Sequence, residues 1–341
     1  GASDMKGPLA CMLAAALRLK NEPATWRGTL TVACVADEEF RFRGVTAMLE
    51  QLVGRDSVEP AVAGILPAVE PGLSPGGKSW EDTTDVGSSS TGPDGRMPAS
   101  TAGGTPATTL PDFAVVGEPT RLRVVRGCKG CLRFAIHAQG RAAHSSKPHE
   151  GRSAVVAMAH AILELERHFM TELTQIAAPG FGTSTGSVGL ISGGTGVNIV
   201  PERCTIQVDI RLLPGQDWRA TYSAMQTLLR TRCQQVPDVQ WQCDEPSVVD
   251  PSFELSAGHP LVKTACVVLG QPEADVVFFS CDASKIAAHG VPVIVLGPGD
   301  IAQAHTVDEF ISLADLESGT AAYVRLAQAV MPPAESPVQK L

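Results

Sequence analysis

The 341-residue sequence lacks any apolar run long enough to cross a membrane. The longest run, residues 9–17, ends at Arg18, whereas a membrane-spanning helix needs roughly 18–20 consecutive apolar residues. The first residues also lack the charged and apolar segments of a signal peptide. We therefore expect no membrane contact and a cytoplasmic location.

Positive charge is also scarce. The chain has 27 Lys and Arg residues against 36 Asp and Glu residues, for a formal net charge of -9. A field of this sign repels phosphate backbones and anionic lipid surfaces. We expect no nucleic-acid partner.

The cysteines show no disulfide pattern. They number nine, an odd count, and several lie inside apolar, strand-like runs, as Cys34, Cys204 and Cys266 do. Reduced cysteine at such positions acts as a small apolar residue. Cys128 and Cys131 have the Cys-x-x-Cys spacing, but no second pair accompanies them, so we interpret them as structural.

Apolar strand-like runs alternate with helical patterns in the first part of the chain. Residues 29–36, 113–116 and 291–296 are apolar and rich in β-branched residues, as expected for strands covered on both faces. Residues 8–20 and 44–51 have the spacing of helices. The pattern predicts an α/β domain with a mostly parallel sheet covered by helices.

The pattern changes after about residue 121. Strand, helix, strand, strand and helix follow in order, at residues 131–138, 152–168, 187–192, 203–212 and 218–230. This order predicts a ferredoxin-like α/β domain over residues 123–244. Buried strands return after it, so we expect the larger domain to be discontinuous, with residues 1–122 and 245–341.

Residues 71–111 are rich in Ser, Thr, Gly and Pro, and Trp80 and Met97 are their large apolar side chains. Such a composition buries too little apolar surface to offset the entropy of ordering the chain. We predict a disordered surface insertion.

Acidic residues follow two of the predicted buried strands. Asp37, Glu38 and Glu39 come after the first, Glu118 after the second, and the third leads into a loop that carries His305. Ligands of open α/β sheets bind at the carboxyl ends of strands. Consecutive carboxylates there repel one another unless a cation compensates them, and mixed oxygen and nitrogen ligands suit zinc.

The order and spacing of seven short motifs resemble one enzyme family, the di-zinc peptidases and deacylases. Its members include acetylornithine deacetylase, succinyl-diaminopimelate desuccinylase, aminoacylase and glutamate carboxypeptidase. The motifs that carry the resemblance are Asp4-Met5-Lys6-Gly7, Asp37-Glu38-Glu39, Gly117-Glu118-Pro119-Thr120, Gly140 through His144-Ser145-Ser146, Gly194-Thr195-Gly196-Val197-Asn198, Asp209-Ile210-Arg211 and Ala304-His305-Thr306.

The resemblance implies a metal site at the strand ends. Asp4 would bridge two zinc ions, Glu39 and His305 would complete one site, and Glu118 would bind the other ion. Glu38 would be the general base that takes a proton from water. Cobalt is expected to substitute for zinc.

The resemblance also implies roles for the smaller domain, which would be a dimerisation lid. His144 would reach the active site of the partner subunit in a homodimer and stabilise the oxyanion, with Asn198 assisting. Arg211 would hold the carboxylate of the substrate. Asp282 precedes a predicted helix over residues 283–289. It could contact substrate beside the metal or cap that helix, and we favour the cap.

The His-x-Asp motif that family members carry upstream of Asp-Met-Lys-Gly is absent from this sequence. The ion beside Glu118 would then lack an imidazole ligand, while Asp4, Glu39 and His305 still supply three ligands for the other. We therefore expect one or two zinc ions and a chain that is incomplete at its start.

The function expected from the sequence is metal-dependent hydrolysis of the amide bond of N-acyl amino acids, and the motifs look most like the acetylornithine deacetylase branch. Two alternatives stay open. The chain could be a dipeptidase or carboxypeptidase of the same family, or an inactive, truncated dimerising module.

Overall fold

The structure is a computed structural model that describes residues 1–39, 41–53, 110–233 and 237–333. The insertion predicted at residues 71–111 lies outside these ranges except for its last two residues.

Eight helices are described. They are α1 (Gly7–Asn21), α2 (Arg43–Val53), α3 (Ala154–Glu164), α4 (Thr171–Leu173), α5 (Trp218–Arg232), α6 (Pro260–Val268), α7 (Ala283–Ala288) and α8 (Leu313–Val330). Shorter or wider helical turns lie at Ala2–Lys6, Pro23–Thr25, Pro148–Glu150, Leu165–Met170 and Ile301–Gln303.

The described strands include long strands and short two-residue pairs. They are β1 (Ala114–Val116), β2 (Val125–Cys128), β3 (Gly130–Gln139), β4 (Ala143–His144), β5 (Ala177–Ala178), β6 (Gly182–Thr183), β7 (Thr185–Gly193), β8 (Ile199–Val200), β9 (Arg203–Leu212), β10 (Gln240–Cys243), β11 (Val248–Asp250), β12 (Phe253–Glu254), β13 (Asp275–Val277) and β14 (Val293–Val295).

One sheet, here called the first sheet, has the order β1-β14-β2-β12, and β13 also pairs with β2. β1 is parallel to β14 and β13 is parallel to β2, whereas β12 and β14 run antiparallel to β2, so the described pairings are mixed. Alternate residues of β14 face opposite sides: Val293 and Val295 pack with α2 and α7, and Ile294 packs with α1, α6 and α8. Helices therefore cover both faces.

The second sheet, here called the lid sheet, is antiparallel, with the order β10-β3-β9-β7 and β11 added on β3. Every second residue of β9 is buried, from Cys204 to Leu212. This face packs against α3 and α5, where Met158 and Met225 are fully buried. Strand order and helix placement are those of a ferredoxin-like fold, and the predicted fold class is confirmed.

Polar side chains fix the starts of three long helices. Ser153 accepts a hydrogen bond from the Val156 amide before α3, Asp217 accepts one from Arg219 before α5, and Ser312 accepts one from Asp315 before α8. Each satisfies an amide that has no partner within the helix.

The prediction of a buried strand at residues 29–36 is wrong. These residues form no strand and are largely exposed, including Leu30 and Val35. Their apolar, β-branched composition suits a covered strand, but a strand also needs a neighbour for its backbone groups. Among the described residues, no strand pairs with this segment.

Among the described residues, no helix combines the length and the hydropathy that a membrane crossing requires. The cytoplasmic location stays a prediction.

Candidate metal and acid site

Asp4 lies in the turn that leads into α1. Its backbone leaves the helical region, with φ of -115° and ψ of 98°. Glu309 holds this turn, because its Oε1 atom accepts hydrogen bonds from the amides of Ser3 and Asp4, both at 2.7 Å. The sequence analysis missed Glu309, although it follows His305 by only four residues.

The loop after residue 36 separates its three acids. Asp37 adopts a positive φ of 68°, and its carboxylate accepts a 2.6 Å bond from Arg43 Nε at the start of α2. This hydrogen bond lowers the pKa of Asp37. Asp37 therefore holds the loop, and Glu38 and Glu39 are the acids that reach the site.

Glu39, Asp4 and His305 bring three potential ligand atoms together. His305 Nε2 lies 3.5 Å from Glu39 Oε2 and 3.8 Å from Asp4 Oδ2. One ligand atom from each residue falls within 4.8 Å of the other two. The three come from the first turn, the loop before α2 and the loop after β14, so the fold assembles the group from distant segments.

Glu118 lies on the turn that follows β1 and is buried. The end of β14 approaches this turn so closely that a Cβ atom at Gly297 would clash with the Glu118 carbonyl oxygen. The Thr120 amide donates to the Gly297 carbonyl at 3.1 Å, which joins the two segments. The Glu118 carboxylate does not belong to the three-residue group, but burial and the charges of Glu38 and Asp4 raise its pKa well above the usual range.

Glu38 is the half-buried acid beside this group. Burial, followed by the charges of Asp282, Glu39 and Asp4, raises the pKa of Glu38 to about 8. The charges of Asp4, Glu39 and Asp282 therefore raise the pKa of both Glu38 and Glu118.

Asp282 is not the cap of α7, contrary to the sequence-based interpretation. Its backbone is already helical, with φ of -50° and ψ of -23°, and its side chain makes no capping bond. A capping residue normally has extended backbone. Asp282 is buried, and its Oδ1 atom has no hydrogen-bond partner among the described residues. Because its charge acts on Glu38 and Glu118, it joins the acid site.

The donor set fits a divalent cation. Two carboxylates and an imidazole supply oxygen and nitrogen ligands of the type that zinc accepts. The surrounding acids, Glu38, Glu118 and Asp282, have raised pKa values because burial and the charges of neighbouring carboxylates disfavour their ionised forms. A bound cation would compensate that charge.

His144 and Asn198 meet on the lid. His144 pairs with Ile199 through β4 and β8, and the Ser145 amide donates to the Asn198 carbonyl at 2.9 Å. Both residues are exposed, and His144 Nδ1 lies 2.8 Å from Ser146 Oγ. Within the described part of the chain, no hydrogen bond or ion pair links His144 to the acid site.

Arg211 lies on β9 of the lid sheet. Its Nε atom forms an ion pair with Asp209 Oδ1 at 2.8 Å, and Arg133 Nε donates a hydrogen bond to the other oxygen of Asp209 at 2.7 Å. Two guanidinium groups therefore share one carboxylate.

A cavity of about 630 Å³ opens next to the Glu118 turn. It runs from that turn to the segment around β13, and its lining includes Pro119, Arg126, Val277, Phe279 and Asp300. The lining combines apolar walls with guanidinium and carboxylate groups, as ligand sites commonly do.

Three comparisons with known proteins found similar sequences or folds. Residues 126–237 match the model of the peptidase dimerisation domain. These residues contain β3, β7 and β9 of the lid sheet, whereas β10 and β11 follow them.

Curated relatives carry the name acetylornithine deacetylase. The protein of Yersinia pseudotuberculosis is 34% identical over 209 residues, which is 61% of this chain and 53% of that protein. The protein of Proteus mirabilis is 35% identical over 216 residues, with 61% and 53% coverage. The chain thus spans about half the length of these relatives.

Solved structures share the fold. A tripeptidase from Staphylococcus aureus matches with a TM-score of 0.54 and 21% identity over 64% of this chain and 57% of that one. An aminopeptidase from Bacillus cereus matches with a TM-score of 0.52 and 22% identity, with the same coverage. The chain is thus similar over about three fifths of its length to acetylornithine deacetylases, and it shares the fold of these two peptidases.

Proposed function

We propose that this protein hydrolyses the amide bond of N-acyl amino acids, as the name of its acetylornithine deacetylase relatives suggests. The convergence of Asp4, Glu39 and His305 beside the half-buried Glu38 carries the proposal. These side chains combine a place for a divalent cation with a proton acceptor, which are the two requirements for metal-assisted amide hydrolysis.

Asp4, Glu39 and His305 would hold zinc, and Glu118 would hold a second ion if one binds. Zinc in such a site acts as a Lewis acid that polarises a carbonyl and makes water more acidic. Glu38 accepts the proton from water through its carboxylate and delivers it to the leaving amine. The half-buried position of Glu38 reduces the contact of this carboxylate with bulk water.

The lid supplies the remaining polar groups. His144 is exposed, and its Nδ1 atom is engaged by Ser146, so its Nε2 atom has no hydrogen-bond partner in the described part of the chain. We propose that His144, with Asn198, stabilises the oxyanion in the site of a second subunit. Arg211, whose guanidinium keeps donors beyond the bond to Asp209, holds the substrate carboxylate.

A homodimer is part of this proposal. The matched domain is named for dimerisation, and β7 is the edge strand of the lid sheet. Leu190 and Ile191 on β7 are 62% and 58% exposed. An exposed apolar edge strand is a ready surface for pairing with a second copy.

The test is an assay of the full chain loaded with zinc or cobalt against N-acetyl amino acids and dipeptides. Release of the amino acid from the N-acetyl compounds is the expected result, and elemental analysis after dialysis should give one or two zinc ions per chain. Glu38→Gln should lower kcat by about 10²–10⁴-fold, because it removes the proton acceptor, and should leave the metal content unchanged.

Other outcomes have clear meanings. If the protein cleaves dipeptides and no N-acetyl amino acid, its substrates are peptides and the proposed substrate class is wrong. Absence of turnover with a loaded metal site would overturn the enzymatic proposal and leave a dimerising module that binds metal.

A further inference from the structure

Lys129 is the single residue between β2 of the first sheet and β3 of the lid sheet. Its amide donates to the Val277 carbonyl on β13 at 3.2 Å. Its ammonium Nζ donates to the Thr183 carbonyl on β6 at 2.6 Å. Backbone and side chain of this residue therefore contact different parts of the molecule, at the point where the chain passes from one sheet to the other.

The ammonium of Lys129 is buried without a carboxylate. The residue is only 6% exposed, and among the described residues no Asp or Glu forms an ion pair with it. Its other close neighbour is the ring of Phe278, whose centroid lies 5.1 Å from Nζ. Lysine is rarely buried unless its charge is paired, and Nζ has three donors, of which the Thr183 carbonyl takes one.

Further positive charge lies close by. Burial and then the charge of Arg211 lower the pKa of Lys129. Arg211 shares the carboxylate of Asp209 with Arg133. The geometry agrees, because Lys129 Nζ donates to the Thr183 carbonyl and the hydroxyl of the next residue, Ser184, donates to the Arg211 carbonyl at 2.9 Å. The carboxylate of Asp209 is already paired with two guanidinium groups, and among the described residues the ammonium of Lys129 has no carboxylate of its own.

A side-chain contact also links the junction to the acid site. Cys128, the residue before Lys129, forms a side-chain contact with Cys281, the residue before Asp282. The charge of Glu118 acts on Cys281 as well. Lys129 and Asp282 are thus linked by a contact between the residues that precede them, and both cysteines belong to one buried cluster of the first sheet.

We propose that Lys129 is a specificity-determining residue, whose ammonium binds the carboxylate of the substrate together with Arg211 at the junction between the lid sheet and the first sheet. The inference rests on the proposed function. The planar guanidinium of Arg211 can donate to both oxygens of the carboxylate and so orient it. The ammonium of Lys129 contributes a second positive charge. Phe278, which is exposed, forms an apolar wall beside them.

The first test compares Lys129→Met, Lys129→Arg and wild type on N-acetyl-L-alanine and on its carboxamide, which lacks the negative charge. Lys129→Met should lower kcat/KM for the acid about 10- to 100-fold, mainly through KM, because a hydrogen bond to a charged group is lost. The carboxamide should be cleaved equally by all three proteins, and Lys129→Arg should recover part of the loss. Lys263→Met, at an exposed lysine on α6, is the matched control.

The comparison of acid with carboxamide separates recognition from folding. A variant that merely weakened the junction would lose activity on both compounds equally, and this result would overturn the proposal. Equal kcat/KM of wild type and Lys129→Met on the acid would overturn it too.

A second measurement does not depend on turnover. Calorimetric titration with N-acetyl-L-alanine should show weaker binding by Lys129→Met than by wild type, with no difference for the carboxamide. If this holds while no protein turns over, the anion site stands and the proposed hydrolysis fails. If wild type binds the acid no better than the carboxamide, the anion site fails whatever the activity.

Discussion

His305 Nε2 lies 3.5 Å from Glu39 Oε2, although one residue follows β14 and the other precedes α2. Asp4 completes the group, with Oδ2 3.8 Å from the same nitrogen. Three side chains from separate parts of the chain reach this spacing only in the folded protein, so metal affinity reports directly on the folded site.

Loss of a member of this group should remove the metal. Replacing a residue that only hydrogen-bonds to a metal ligand typically lowers metal affinity roughly 10- to 100-fold. His305→Ala removes a ligand itself and should lower zinc affinity by more than this. Elemental analysis after dialysis, or cobalt absorption spectra, would measure this. His160→Ala, at an exposed histidine on α3, should keep the wild-type metal content. Retention of full zinc content by His305→Ala would contradict the assignment.

Asp250 and Lys285 form a buried ion pair next to the acid site. Asp250 is 0% exposed, its Oδ1 atom lies 3.2 Å from Lys285 Nζ, and it also accepts a bond from Ser284. Asp250→Ala leaves the ammonium of Lys285 without its carboxylate and should lower the free energy of unfolding by about 3 kcal/mol. Urea unfolding of the metal-free protein measures this loss.

An exposed ion pair provides the control for Asp250. Lys147 and Glu150 lie 3.3 Å apart on the surface of the lid, and Glu150→Ala should cost less than about 1 kcal/mol. The double variant Asp250→Ala with Lys285→Met should lose less stability than Asp250→Ala alone. If Asp250→Ala and Glu150→Ala lower the free energy of unfolding equally, the Asp250–Lys285 pair contributes no more to stability than an exposed ion pair.

The lid could be predicted from sequence because one face of β9 is buried. The alternation over residues 203–212 places apolar side chains on a single face, and β9 has these bounds in the structure. Residues 29–36 have an equally strong apolar pattern and yet form no strand. A covered strand exists only with neighbours on either side, and composition within a segment carries no information about them.

The site could be predicted in part for a similar reason. Asp4, Glu39 and His305 belong to short motifs at the ends of predicted elements, so their type and position indicated a shared site. No sequence motif of this kind pointed to Lys129 or Asp282 as part of a site. Their unusual feature is a buried charge without a full set of partners, and this arises from tertiary contacts that no local pattern records.

The edge of the lid sheet offers a test of the dimer. Leu190→Glu places a charge among the exposed apolar side chains of β7 and should shift the protein from dimer to monomer, because the carboxylate would have to be desolvated at the interface. Sedimentation velocity measures the change. Leu313→Glu, at an exposed leucine on α8, should leave the dimer intact. A monomeric wild type, or a dimer unaffected by Leu190→Glu, would contradict the interface.

The carboxyl group of Asp282 should make stability depend on pH in the metal-free protein. Burial, followed by the charge of Asp250, raises the pKa of Asp282 to about 6, against an ordinary value near 4. A group whose pKa is raised by folding contributes fully below its unfolded value, and this contribution is lost as the pH rises through the folded value. Relative to Asp282→Asn, wild type should therefore lose up to about 3 kcal/mol between roughly pH 4 and 7.

Urea unfolding of both proteins in the presence of a chelator measures this difference at each pH. Asp275→Asn is the control of opposite sign, because the hydrogen bond from Arg123 lowers the pKa of Asp275. The stability that Asp275 contributes is present at neutral pH and is lost as the pH falls, so Asp275→Asn should be less stable than wild type at pH 7 and should approach it in acid. An Asp282→Asn difference that stays constant from pH 4 to 7 would show that the Asp282 carboxyl is not held in the neutral form by its buried site.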